Sequence, residues 1–226
     1  RKFFQAVIVN NTFMKDLFSK KVETFVIYHH WDPRFGKTQT ICDNLTFGYM
    51  GSIKSLLHTN NFLHYKKLIH KYPIKFFETE LGIDVTDKVM NDKINYKISY
   101  TQNNIPEKVN FICDINIREI NSQVAKLKTT AKIATAASLG HNIITTFDAS
   151  VKDILPKDYP FILYKTDFES VSAMFDLVVK DFNEDKVLWN KGLKIMEEVK
   201  IHLSMKNIIQ DYESILIKKF KYFKSI

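Results

Sequence analysis

Cysteine is nearly absent from this chain of 226 residues, which carries only Cys42 and Cys113. The two stand far apart and form no metal spacing, so a reduced, cytoplasmic setting is the simplest reading. No apolar run approaches the length of a membrane span, and the first residues do not read as a signal peptide. Glycine is scarce, and no full glycine-rich phosphate loop is present. Internal repeats and low-complexity segments are missing, as are an Asp-x-Asp pair, an aromatic RNA-binding signature and a recognition-helix motif. Residue 1 is Arg rather than Met, which fits a fragment or a processed product.

What is there is an ordinary soluble composition, 45% hydrophobic and 26% charged, with a net charge of +8. That fits one good core, or one domain plus part of another. A basic balance favours anionic partners such as phosphates, nucleic acid or acidic lipid. Most lysines are spread over the chain and read as a solvated surface. The tail from Leu216 to Ile226 differs, with four lysines, no acid and three aromatics. It suits an anionic membrane surface, hence a membrane-peripheral placement; a final helix with a frayed end explains it equally simply.

Ala131 to Leu155 is the most legible stretch. A helix pattern runs into Gly140, a β-branched strand follows from Asn142 to Thr146, and Phe147-Asp148-Ala149-Ser150 opens a second helix. Alternation of helix and buried strand predicts an α/β fold, a Rossmann-like parallel sheet with flanking helices. Ligands of such sheets sit beyond the carboxyl ends of the strands, beside helix N-termini. Further strands are expected at Gln5 to Val9, Thr24 to Tyr28, Leu45 to Tyr49, Pro73 to Phe77, Ile94 to Tyr100, Val109 to Ile117 and Phe161 to Tyr164. Glu119 to Lys126 reads as a polar connection. From Asp167, as an N-cap, the pattern is helical to the end. The polar stretch Arg34 to Asn44 reads as a linker, dividing 1–43 from 44–226.

Three segments, taken in order, resemble the later half of GT-B glycosyltransferases. Val26 to Phe35 is similar to the family's inter-domain stretch. Phe47-Gly48-Tyr49-Met50-Gly51-Ser52 is similar to the first strand and turn of its donor-binding domain. Lys132 to Leu155 is similar to the donor-site helix, the next strand and the loop-helix beyond. The resemblance covers roughly residues 4–216. It implies that 1–43 is the remnant of an N-terminal Rossmann-like domain and 44–226 the donor-binding domain. It also implies metal-independent transfer of a sugar from a nucleoside diphosphate sugar to a hydroxyl acceptor, as in hexosyltransferases of glycan biosynthesis. No separate cofactor is then needed, and the acceptor is a glycan, a lipid-linked glycan or a protein. Where many retaining members carry a glutamate on the donor helix, this chain has Thr135. The carboxylate expected after the next strand is Asp148 or Asp153.

On this reading Lys132, in the first turns of a helix, is the leading diphosphate contact, since a helix N-terminus already presents free N–H groups and partial positive charge. A surface lysine on an amphipathic helix is the plainer account. Arg118, at the end of a strand, either shares the diphosphate or pairs with Glu119 or another acid. Gly51 and Ser52 line the cleft or merely turn the chain and cap a helix. Thr135, Thr146, Asp148 and Ser150, together with Thr145, reach ribose or sugar hydroxyls, or serve as turn chemistry. Asp153 is one turn further on and reads as exposed. His29, His30 and Asp32 offer no third-ligand spacing for a metal, and on a strand His29 and His30 would face opposite ways. A non-catalytic nucleotide-sugar-binding module of the same fold is the rival from another class.

Overall fold

A computed structural model describes residues 6–35, 44–52, 56, 61–78, 94–97, 109–120 and 122–220. The linker expected at Arg34 to Asn44, the helix start near Leu56, and the end of the basic tail fall largely outside these residues.

The chain begins with β1 (Ala6–Val9), α1 (Thr12–Phe18) and β2 (Glu23–Val26), and the two strands pair in parallel as a two-stranded sheet. Asn11 caps α1, its side-chain oxygen accepting the Met14 N–H at 2.8 Å. Next come β3 (Phe47–Gly51), α2 (Asn61–Leu68), β4 (Ile74–Glu78), β5 (Ile94–Lys97) and β6 (Cys113–Asn116). The second half carries α3 (Gln123–Leu127), α4 (Ala131–Leu139), β7 (Asn142–Thr146), α5 (Ala149–Ile154) and β8 (Ile162–Leu163). Three long helices close the chain: α6 (Phe168–Asn183), α7 (Val187–His202) and α8 (Met205–Phe220). No helix among the described residues is long and apolar enough to cross a membrane.

Strands β3 to β8 form one parallel sheet in the order β5-β4-β3-β6-β7-β8. The fold is the expected α/β, Rossmann-like sheet with a helical C-terminus. The strand order reverses between β3 and β6, and sheets of this kind bind ligands beyond the carboxyl ends of such a pair. β3 shows how the sheet is packed. Phe47 and Tyr49 enter a large core with Phe76, Ile115, Ile144 and Phe175, while Met50 enters a smaller one with Phe77, Phe111 and Leu139. That is the period of two of a strand buried on both faces. Each fully buried phenylalanine here contributes about 2–3 kcal/mol.

One sequence-predicted element is trimmed by specific hydrogen bonds, and another gains a helix. The strand expected from Val109 begins only at Cys113, because the Ile112 and Cys113 N–H groups both donate to the Thr46 carbonyl, at 3.1 and 3.2 Å. A shared acceptor breaks the one-to-one ladder. The connection after Glu119 contains the short helix α3. His29 and His30 lie beyond β2, and their rings stack at 5.6 Å instead of facing opposite ways. Among the described residues no group of three potential metal ligands forms.

Helix α7 lies close against β7. The Asn142 side chain donates to the Trp189 carbonyl at 3.0 Å, and a methyl group placed on Gly192 would stand 2.2 Å from Asn142 Oδ1. Only glycine permits that approach.

Candidate functional site

Helix α4 ends where its sequence says it should. Gly140 adopts φ 73°, and the N–H groups of Gly140 and His141 close on the carbonyls of Ala137 and Ala136. Its start is capped only in part: the side chain of the N-cap Thr130 caps nothing, while the Thr129 hydroxyl accepts the Ala131 N–H at 3.4 Å. The Thr130 hydroxyl oxygen is buried and has no hydrogen-bond partner among the described residues. Unpaired N–H groups and the positive end of the helix therefore meet at one point.

Lys132 rises from this first turn. Its amine sits 3.6 Å from the centre of the Tyr49 ring, and a methyl group placed on Gly51 would stand 3.2 Å from it. So the lysine of α4 and the turn after β3, far apart in sequence, meet at the reversal point of the sheet. Ser52 follows Gly51 on the same turn, its carbonyl accepting the Tyr49 hydroxyl at 3.4 Å. Among the described residues no carboxylate lies within ion-pair distance of the Lys132 amine. Burial, then the positive charge of Arg118, push its pKa down to about 7, with Lys128 adding to this and Asp114 opposing it.

Arg118 is built the other way. Its guanidinium meets the Asp148 carboxylate at 3.2 Å, with the Arg118 side chain 18% and the Asp148 side chain 0% exposed. The backbone N–H of Arg118 donates to the Thr146 hydroxyl at 3.1 Å. Asp148 also caps α5, accepting the N–H groups of Ser150 and Val151 and the Ser150 hydroxyl. Thr145, Thr146, Asp148 and Ser150 are all buried, so they form an internal brace rather than an open polar rim. Thr135 is half-buried on the next turn of α4, and its carbonyl accepts the Ser138 hydroxyl at 2.7 Å. Asp153 is not merely exposed: its carboxylate takes the Thr12 N–H and hydroxyl at 2.7 and 2.6 Å, tying α5 to α1. Beyond β6 and β8 a cavity of about 600 Å³ opens between Glu119, Ile120 and Ser122 on one side and Tyr164–Asp167 on the other.

Sequence reasoning passed over Asp114 and His141. Both are buried, with His141 Nδ1 2.9 Å from Asp114 Oδ2, and burial raises the Asp114 pKa while His141 opposes it. A lone acid inside the apolar run from Phe111 to Ile117 was the available signal, since an unpaired buried carboxylate is costly. Tyr49 carried no signal at all, because aromatics fill the cores of such strands.

No protein-family model and no curated protein sequence matches the chain. Solved structures do. A glycosyltransferase from Rickettsia africae superposes with a TM-score of 0.68 at 14% identity, over 96% of this chain and 64% of that one. HepE of Anabaena, in complex with UDP and glucose, gives 0.65 at 11% identity over 96% and 63%. The T4 phage protein BGT, in complex with UDP-glucose, gives 0.51 at 15% identity over 91% and 59%. The fold is thus that of GT-B-like nucleotide-sugar glycosyltransferases. This chain spans less than two thirds of the length of those solved chains.

Proposed function

We propose that this chain is the donor-binding part of a metal-independent glycosyltransferase that moves a sugar from a nucleoside diphosphate sugar to a hydroxyl acceptor. One observation carries the reading. The Lys132 amine, the partly capped start of α4 and the Gly51 turn converge at the point where the strand order reverses, with no carboxylate among the described residues within ion-pair distance of the amine. Free donors and a cation at a helix start form an anion site. The fold neighbours captured with UDP or UDP-glucose make a nucleoside diphosphate the anion to try first.

In sugar transfer the bond between the anomeric carbon and the diphosphate oxygen breaks, and negative charge grows on the leaving group. Fixed positive groups then stabilise the transition state more than the ground state. Lys132 and the N–H groups of α4 supply that stabilisation, Gly51 and Ser52 admit the diphosphate, and Thr135 faces the ribose or sugar. Arg118 contributes by its field while held by Asp148. The buried Thr146, Asp148 and Ser150 fix that brace. The acceptor is a glycan, a lipid-linked glycan or a protein, and the basic residues after Leu216 provide peripheral contact with an anionic membrane in the cytoplasm.

A thermal-shift panel of UDP, GDP and ADP tests the reading, since a bound ligand raises apparent stability by mass action. One of them should raise the melting temperature of the native chain and fail to raise that of Lys132→Ala. No shift with any of the three would end the proposal. The binding-module alternative is favoured by a specific pair of facts: Thr135 offers no carboxylate, and Asp148 is committed to Arg118 and α5. Release of labelled sugar from the bound nucleotide separates it from the enzyme; binding without any release supports the module.

A further inference from the structure

Resting on the donor reading above, we propose that Lys132 is only partly charged at neutral pH in the empty cleft and takes up a proton as the diphosphate binds, so that donor binding and protonation are coupled. Four features carry this. The amine has no carboxylate within ion-pair distance among the described residues; its near contact is the face of Tyr49 at 3.6 Å, which holds a charge more weakly than a carboxylate does. Two further cations, Arg118 and Lys128, act on it from the residues after β6 and before α4. The positive end of α4 lies beneath it. The acid best placed to help, Asp114 on β6, is already engaged by His141 at 2.9 Å.

Among the described residues the titratable and charged groups around the amine are thus Tyr49 from β3, with Tyr65 of α2 stacked edge-on behind it at 5.7 Å, then Asp114 from β6, Arg118 after it, Lys128, and His141 through Asp114. His141 Nε2 is buried without a hydrogen-bond partner among the described residues, and its ring packs edge-on against Phe111. The balance at Lys132 therefore shifts when an anion arrives. A diphosphate brings negative charge onto the amine, the amine accepts a proton from buffer acid, and the buffer is left as its conjugate base. Burial and the neighbouring cations bring the Lys132 pKa to about 7, so this exchange falls in the neutral range.

The chain labelled with carbon-13 lysine reports the titration directly. The Lys132 side-chain signal, assigned by its loss in Lys132→Arg, should titrate near pH 7 in the free protein, and UDP should move its midpoint up by two units or more. Calorimetry of UDP binding near pH 8, repeated in buffers of different ionisation heat, should show about one proton taken up. Lys132→Arg, whose guanidinium is always charged, should bind UDP without that uptake. A Lys132 signal that titrates with the other lysines overturns the coupling even if UDP binds tightly. Equal proton uptake in Lys132→Arg overturns it as well. Inorganic pyrophosphate separates the two levels: a midpoint raised by pyrophosphate but not by UDP keeps the proton coupling and removes the nucleotide reading.

Discussion

Two cations flank the crevice of this sheet, and they are held by opposite means. Arg118 is paired with a buried carboxylate that also caps a helix, so that side is a finished structural joint. Among the described residues Lys132 has no such partner; it rests on an aromatic face beside a partly capped helix start, so that side is incomplete by itself. A paired charge stabilises the fold chiefly by not being left alone, whereas an unpaired one stores an electrostatic debt that an anion can discharge. The contrast shows where a ligand has something to gain.

The strongest way to break that contrast is Asp148→Ala. It strands the Arg118 guanidinium and removes the α5 cap together, and should cost about 3–4 kcal/mol in urea unfolding. A loss below about 1 kcal/mol would mean the joint is not structural. Next comes nucleotide binding. Lys132→Ala should weaken UDP affinity by about 1–3 kcal/mol, and Arg118→Ala by about 1 kcal/mol at most, both read by calorimetry. Equal losses would erase the difference between the two sides.

A smaller effect concerns pH. The unfolded chain keeps a proton on this lysine up to its ordinary value of 10.5, the folded chain only to about 7. Between those values the unfolded state binds more protons, so this group makes stability rise with pH, and below about 7 its penalty is complete. Lys132→Met removes the penalty. The variant should therefore exceed the parent in urea midpoint at pH 7, by a margin that shrinks toward pH 10. A constant margin would place the amine in water. The smallest change is removal of everything after Leu216. It deletes the ion pair of Lys219 with Glu23, an exposed contact worth under about 1 kcal/mol, and UDP affinity should not move.

How much of this was legible in the chain depended on whether the cause was local. The α4–β7–α5 stretch is written in its own residues: Gly140 stops a helix by taking φ 73°, five successive buried residues make the strand, and Asp148 caps the next helix. The meeting of Lys132 with Gly51 came from strand order, which the periodicity and the family resemblance together supplied. The partner of Arg118 could only be narrowed to an acid nearby, because Asp148 reaches it from 30 residues away across β7. The trimmed start of β6 had the same origin, a carbonyl at Thr46 that no local pattern announces. Asp114 stands out as a lone acid in an apolar run, but nothing local points to His141 as its partner; only their juxtaposition explains why either tolerates burial.

The close approach of α7 to β7 has an evolutionary reading. Because position 192 has no room beyond its α-carbon while Asn142 occupies the adjoining space, the two sites cannot drift independently. A lineage gaining alanine at 192 must first shrink 142 and surrender the tie to Trp189. Substitutions there should arise in order, 142 before 192, and the reverse sequence should pass through a chain that folds poorly.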